Sequence, residues 1–225
     1  MSHELRTPLN AIIGYSELLL GDLDDEAAKE DLRRIHWSGT SLLTQINAML
    51  DLSKLEAGEM RVHIETIDLV EVGHELLALL HPLMASQGNV ASLEMEPGLS
   101  VRTDRQKLLQ VLTNLLTNAN KFTENGNVTL RGRREGDEVW LEVADTGIGM
   151  DGDVLSRVFR PFMQADTSTT RVYGGTGLGL TLVRRFTGLL GGEVDVVSEL
   201  GLGSTFVVRL PLTPSSKDGP GGDSD

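Results

Sequence analysis

Residues 104–123, DRQKLLQVLTNLLTNANKFT, constrain this chain more than any other stretch. Leu108, Leu109, Val111, Leu112, Leu115, Leu116 and Ala119 recur at spacings of three and four, which predicts a helix with one well-buried face. Off that face, Asn114, Asn118 and Lys121 stand at i, i+4 and i+7 and share one side of the helix. Asparagine is a mediocre helix former because its amide competes for backbone hydrogen bonds. Two of them a turn apart, followed by a lysine, point to a task. An amide oxygen can ligate Mg²⁺, and an ammonium can meet phosphate oxygens. The same side chains also fit a solvated polar face, and the helix alone does not choose between the two.

A chain of 225 residues has room for one large domain, or for a small and a medium one. Aromatic residues are only 4% of it, so aliphatic side chains have to fill the core. The net charge of −13 argues against binding nucleic acid or an anionic membrane surface by bulk electrostatics. Cysteine is absent, which excludes disulfides and thiolate metal sites and fits a reducing compartment. No apolar run approaches the roughly 20 residues that cross a bilayer, and no signal peptide opens the chain. The expectation is a cytoplasmic, soluble chain with no membrane contact of its own, although a longer parent protein could be anchored in a membrane.

Residues 1–60 read as two helices joined by a turn. Leu5, Leu9, Ile12, Ser16 and Leu19 alternate steps of four and three, with Ile13 and Leu20 widening the stripe. Gly21-Asp22 ends this helix, and Asp24, Asp25 and Glu26 suit the positive end of the next. The second helix carries Leu32, Ile35, Leu42, Leu43, Ile46, Met49 and Leu50, and Ile35, Leu42 and Met49 lie seven apart. That is a bundle seam. A lone hairpin has too little surface to bury both stripes, so a homodimeric four-helix bundle is expected, ending at Gly58.

Residues 61–212 alternate short strands with helices. Strand patterns occupy 61–67, 127–133, 138–145, 193–198 and 204–210, and helical spacing occupies 69–84 and 104–123. The strands gather toward the end, which favours an α+β sandwich over a doubly wound sheet. Residues 213–225 are rich in Gly, Pro, Ser and Asp and read as a disordered tail or linker.

Three further segments carry candidate chemistry. Val139, Leu141, Val143 and Asp145 point to one face, so a carboxylate ends an apolar row, where it needs a partner. Gly147 and Gly149 follow in DTGIGM and let a ligand approach the backbone. A carboxylate at the end of an apolar slot suits a purine amino group; a strand-ending Asx turn is the plain alternative. YGGTGLGL, residues 173–180, precedes a helical run, and flexible glycines ahead of a helix N-terminus form an anion site from backbone N–H groups; a mobile glycine loop with no ligand is the plain alternative. It matches neither the P-loop nor the dinucleotide fingerprint. Near the start, His3 is followed by Glu4, able to take a ring proton, and by Pro8, which would loosen the helix. His36, His63, His74 and His81 lack comparable neighbours and read as structural or surface residues.

Taken in order, His3-Glu4-Leu5-Arg6-Thr7-Pro8 on a two-helix hairpin, then NLLTNANKF, DTGIGM, FRPF and GGTGLGL, closely resemble the sensor histidine kinases of two-component systems. The resemblance covers residues 1–212. It implies a helical dimerisation and histidine-phosphotransfer domain, residues 1–60, followed by an α/β-sandwich ATP-binding domain of the GHKL kind, residues 61–212. It implies that His3 accepts the γ-phosphoryl group, that Glu4 is the general base, and that Glu4 with Thr7 forms the pattern linked to phosphatase activity. Asn118 matches the main Mg²⁺ ligand, with Asn114 supporting the metal, and Lys121 matches a phosphate contact. Asp145 matches the adenine-amino acceptor, with Gly147 and Gly149 shaping that pocket. Phe159 and Phe162 match the aromatic block bordering the nucleotide lid. Gly175, Gly177 and Gly179 match the glycines beside the phosphates, and Thr205, in GSTF, lies near the adenine.

The implied function is an ATP- and Mg²⁺-dependent histidine autokinase that passes its phosphoryl group to an aspartate on a response-regulator receiver domain. A nucleotide-binding dimeric adaptor and a GHKL ATPase are the alternatives; Asn114 stands where the ATPases place a water-activating glutamate. The family pattern has helical turns before the histidine, so this chain is expected to be a catalytic fragment without its sensor. Val172 stands where many relatives carry a basic residue, which is expected to weaken ATP affinity.

Overall fold

The computed structural model describes residues 2–22, 25–163 and 177–213, with the backbone alone for 2–5 and 22. Helices α1 (Ser2–Asp22) and α2 (Glu26–Glu56) form a hairpin. They run antiparallel. Arg6 near the start of α1 donates from Nε to Asn47 Oδ1 near the end of α2 at 2.9 Å, and Gly39 lies against Ile13, where a Cβ would come within 2.9 Å of its Cγ1. Asp25 caps α2 by accepting from Ala27 N–H, and Gly58, at φ 68°, follows the α2 C-cap. Pro8 is held inside α1, which continues through it; the expected loosening does not end the helix. Leu9 and Ser16 are buried within the hairpin, the Ser16 hydroxyl donating to the Ile13 carbonyl. Ile12, Leu19, Ile35, Leu42 and Met49 stay 47–49% exposed.

The chain divides into two compact units, Met1–Met60 and Arg61–Asp225. In the second, β2 (Val90–Met95), β4 (Asn127–Glu135), β5 (Glu138–Asp145), β7 (Gly203–Pro211) and β6 (Glu193–Glu199) make a five-stranded sheet in that spatial order. β2 pairs parallel with β4, and every other pairing in the sheet is antiparallel. A separate antiparallel pair joins β1 (Glu65–Asp68) and β3 (Ser100–Thr103). The strand expected over 61–67 is therefore short, because its only partner is four residues long. β2 and β3 had no strand signal in the sequence: β2 is an edge strand without clean alternation, and β3 is very short.

Helices α3 (Leu69–Ser86), α4 (Arg105–Lys121) and α6 (Gly179–Leu189) cover one face of the sheet, and a short α5 (Gly152–Leu155) follows β5. α4 is central. Asp104 caps it through Oδ1, which accepts from Lys107 N–H at 3.0 Å, while Oδ2 accepts from His63 N–H at 2.8 Å. One carboxylate thus starts the helix and holds the chain entering the unit. Leu108, Leu112, Leu115 and Leu116 are fully buried. They face the row Val139, Leu141 and Val143 on β5, and Phe206, Val208 and Leu210 on the neighbouring β7 continue the same buried sheet face. Burying each such leucine stabilises the fold by about 1.5–3 kcal/mol, which is why this sheet face and this helix find each other. The α+β sandwich follows from that match.

Candidate functional site

The buried stripe of α4 turns its other side, with Asn114, Asn118 and Lys121, out of the core; all three are half-buried. The Asn114 amide donates from Nδ2 back to the Gln110 carbonyl at 2.8 Å, which leaves Oδ1 as its outward acceptor. That oxygen meets the start of α6: a Cβ on Gly179 would stand 3.1 Å from it. Asn118 makes no side-chain hydrogen bond among the described residues. The Lys121 ammonium lies 4.8 Å from the centre of the Phe122 ring, and burial pulls its pKa below the ordinary lysine value. A half-buried cation of this kind gains from an anion that offsets its desolvation.

β5 delivers Asp145 to the end of its apolar row. Oδ1 accepts from Gly147 N–H at 2.9 Å and from Ser204 N–H at 3.2 Å. Burial pushes the carboxyl pKa up, and the two N–H donors only partly oppose that. Oδ2 takes no partner among the described residues. The loop that follows is held closely on two sides. Ile148 N–H donates to the Phe122 carbonyl at 3.1 Å, and a Cβ on Gly147 would fall 2.1 Å from the same oxygen. Gly149 has φ 65°, and a Cβ there would lie 1.9 Å from the Glu199 carbonyl oxygen. Glycine is required at both positions on steric grounds alone.

The other wall comes from residues 159–163 and the start of α6. Phe159 packs edge-on against Phe206 at 6.3 Å, and its carbonyl accepts from the Thr181 hydroxyl at 3.2 Å. Phe162 is exposed, adopts φ 61°, and donates from its N–H to the Gly177 carbonyl at 3.0 Å. Gly177 itself has φ 66°. Among the described residues no side chain caps α6, and its first turn has the anion-binding character expected of a helix N-terminus. Gly175 and Val172 lie outside the described residues.

Asn114, Asn118, Lys121, Asp145, Gly147, Gly149, Phe159, Phe162, Gly177 and Gly179 therefore line one region around the C-terminal half of α4. Thr205 does not. Strand register pairs Asp145 with Ser204 and sets Thr205 between Ala144 and Val197, on the sheet face away from the helices. The pleat places Ser204, rather than the expected Thr205, beside Asp145. Alternation along β7, whose buried residues are Ser204, Phe206, Val208 and Leu210, was the signal that could have found it. A second residue without a sequence signal is Asn89. Its amide nitrogen faces the Asn120 Oδ1 and the Thr123 carbonyl at 2.9 and 2.8 Å, and its Oδ1 accepts from Gly126 N–H. This buried contact ties down the turn after α4. His3, Glu4 and Thr7 belong to α1 in the other unit; Thr7 is exposed, and the side chains of His3 and Glu4 are outside the described residues.

Known proteins share both parts. Residues 1–58 match the His Kinase A (phospho-acceptor) domain, and residues 103–214 match the histidine kinase-, DNA gyrase B- and HSP90-like ATPase. The chain is 43% identical over 220 residues to the circadian input-output histidine kinase CikA of Synechococcus elongatus, covering 94% of this chain and 29% of that protein. It is 37% identical over 220 residues to the autoinducer 2 sensor kinase/phosphatase LuxQ of Vibrio harveyi, covering 94% and 26%. Among solved structures, full-length ShkA in complex with AMPPNP superposes with a TM-score of 0.80 at 31% identity, over 95% of this chain and 45% of that one. The chain spans 25–42% of the length of the curated relatives it matches. With a phospho-acceptor hairpin followed by a nucleotide-binding sandwich of the GHKL type, the chain belongs to the sensor histidine kinase family.

Proposed function

We propose that this chain is the autokinase core of a two-component sensor, binding ATP with Mg²⁺ and phosphorylating His3. The observation that carries the reading is the set of groups around α4. An amide pair and a half-buried lysine stand on one helix face, the N-terminus of α6 adjoins Asn114, and a carboxylate whose second oxygen has no partner among the described residues ends the apolar row. Anion-binding groups and a base-binding acceptor together fit a nucleoside triphosphate.

The donor set also fits Mg²⁺. Among the described residues no group of three or more His, Cys, Asp or Glu gathers to hold a metal. Asn118, with Asn114 beside it, would hold the ion through neutral amide oxygens, donors that suit a largely hydrated Mg²⁺. When bound, the ion neutralises charge on the phosphates. Lys121 and the N–H groups of α6 contact and orient the phosphate oxygens, and Asp145 with Ser204 holds the base. In the transfer step a neutral His3 ring nitrogen forms the N–P bond, the bond to the bridging oxygen breaks, and ADP leaves. Glu4 takes the proton from the other ring nitrogen. Histidine's ordinary pKa of about 6.5 leaves most imidazole neutral at pH 7.

The half-exposed row Ile35, Leu42 and Met49, with Ile12 and Leu19 on α1, supports pairing of two hairpins into a four-helix bundle. A response-regulator receiver domain then accepts the phosphoryl group on an aspartate, and Glu4 with Thr7 supports the reverse phosphatase reaction. No described helix is long and apolar enough to cross a membrane, and a cytoplasmic setting, with domains 1–60 and 61–212 and a tail over 213–225, fits this reading.

Incubation with γ-labelled ATP and Mg²⁺ tests it. Acid-labile, base-stable label on the chain, lost in both His3→Gln and Asn118→Ala, is the expected result. Free phosphate without phosphoprotein would favour an ATPase, and bound nucleotide with neither product an adaptor.

A further inference from the structure

Ser198 belongs to none of the sequence motifs; residues 193–198 read only as a strand. Its hydroxyl nevertheless joins three segments of the site. Oγ accepts from Met150 N–H at 2.8 Å, donates to the Gly203 carbonyl at 2.9 Å, and shares a 2.9 Å hydrogen bond with the Ser204 hydroxyl. A hydroxyl has one proton, and a carbonyl can only accept. With the Ser198 proton committed to Gly203, Ser204 has to be the donor in the shared bond. The Ser204 proton is thereby aimed at Ser198, and only its lone pairs are left to face anything else. The Ser204 N–H is also committed, to Asp145 Oδ1. The base end of the site then offers two oxygen acceptors, Asp145 Oδ2 and Ser204 Oγ, and the Ser204 hydroxyl keeps no proton to turn toward a ligand.

We propose that Ser198 is a positioning residue that locks Ser204 as a hydrogen-bond acceptor and so makes the site select 6-aminopurine over 6-oxopurine nucleotides. A 6-amino group brings two N–H donors to two acceptors. A 6-oxo group brings a lone pair to the same place, where its unmet acceptor and those of the site oppose binding. This inference rests on the reading of the site as the ATP site.

The test is equilibrium binding of ATP and ITP to the full chain and to Ser198→Ala, Ser198→Thr, Ser204→Ala and the Ser198→Ala/Ser204→Ala pair. In Ser198→Ala the Ser204 hydroxyl is free to turn and donate to a 6-oxo group. ATP is expected to weaken about five-fold and ITP to hold or tighten, so the ATP:ITP preference falls roughly five- to ten-fold. Ser198→Thr, which retains the hydroxyl, should keep the preference within about two-fold of the parent, since the same hydrogen bonds are available. In the Ser204→Ala background, removing Ser198 should leave the ratio unchanged. Equal weakening of both nucleotides by Ser198→Ala would show a merely structural clamp and overturn the proposal, as would a ratio change that persists without the Ser204 hydroxyl. Should Ser198→Ala fail to fold, Ser198→Cys takes its place and is expected to lower the ratio in the same direction. ATP binding that is unaffected by Asp145→Asn in the same assay would instead remove the reading of the site itself.

Discussion

Asp145 combines two demands that conflict at the scale of one residue. Its place at the end of an apolar row suits the base-binding role proposed for it, and the same burial raises its pKa. The native state therefore holds the proton to higher pH than the unfolded chain does. The carboxylate costs stability from about its ordinary pKa upward, and the full cost is present above the raised native value. Asp145→Asn, which keeps an oxygen for the Gly147 and Ser204 N–H groups, should melt at a temperature equal to or above the parent at neutral pH. The difference should shrink as pH falls through the carboxylate range. The same variant should lose roughly ten- to a hundred-fold in ATP affinity, the worth of a charge-assisted hydrogen bond. A variant that melts lower at neutral pH would contradict this account. Lys121 has the opposite sign of charge and its own pH signature. Its lowered pKa means that the ammonium proposed to contact phosphate is lost at a pH below the ordinary 10.5. ATP affinity measured by calorimetry should fall as pH rises through the lowered lysine pKa, before the ordinary value is reached, and Lys121→Met should flatten the fall. A parent profile that is already flat would rule out the contact.

Elements supply what single residues do not, namely the alignment of the site. α4 carries Asn114, Asn118 and Lys121, so anything that frays α4 disperses them. Asp104→Ala removes both the helix cap and the acceptor for His63 N–H. It should lower stability by about 1–3 kcal/mol in urea melts, with a parallel loss of nucleotide affinity. The loop after β5 is more sensitive still. Gly149→Ala places a Cβ against the Glu199 carbonyl in a backbone conformation that side chains avoid, so the loop has to move. ATP binding should be lost while circular dichroism still reports the sandwich, because the apolar layer between α4 and the sheet is untouched. Unimpaired ATP binding by this variant would mean that the loop does not border the base.

For the whole molecule, the decisive quantity is apolar surface that one copy leaves half exposed. Ile35, Leu42 and Met49 repeat at seven residues and are each 47–48% exposed. Leu42→Glu should shift the chain from dimer to monomer in sedimentation while ATP affinity changes by less than about two-fold, because Leu42 belongs to a different compact unit from Asn114, Asn118, Lys121 and Asp145. A monomeric parent would remove the bundle.

Much of this was legible without coordinates. Spacing of three and four along residues 104–123 determined α4, because a helix with so many leucines on one face has to bury it. The heptad row in α2 marked a stripe that one copy leaves half exposed, and the alternation 139, 141, 143, 145 determined which face Asp145 occupies. Tertiary structure alone decided the rest. The edge strand β2 became a strand through its parallel pairing with β4, a contact about 37 residues distant in sequence that local propensity does not encode. The cross-strand register put Ser204 beside Asp145 and turned Thr205 away. The Ser198 hydroxyl acquired its three partners only when β6, β7 and the loop after β5 met. Periodicity records which face a residue takes, because that depends on its near neighbours. Which hydrogen bonds it makes depends on what folding brings to that face.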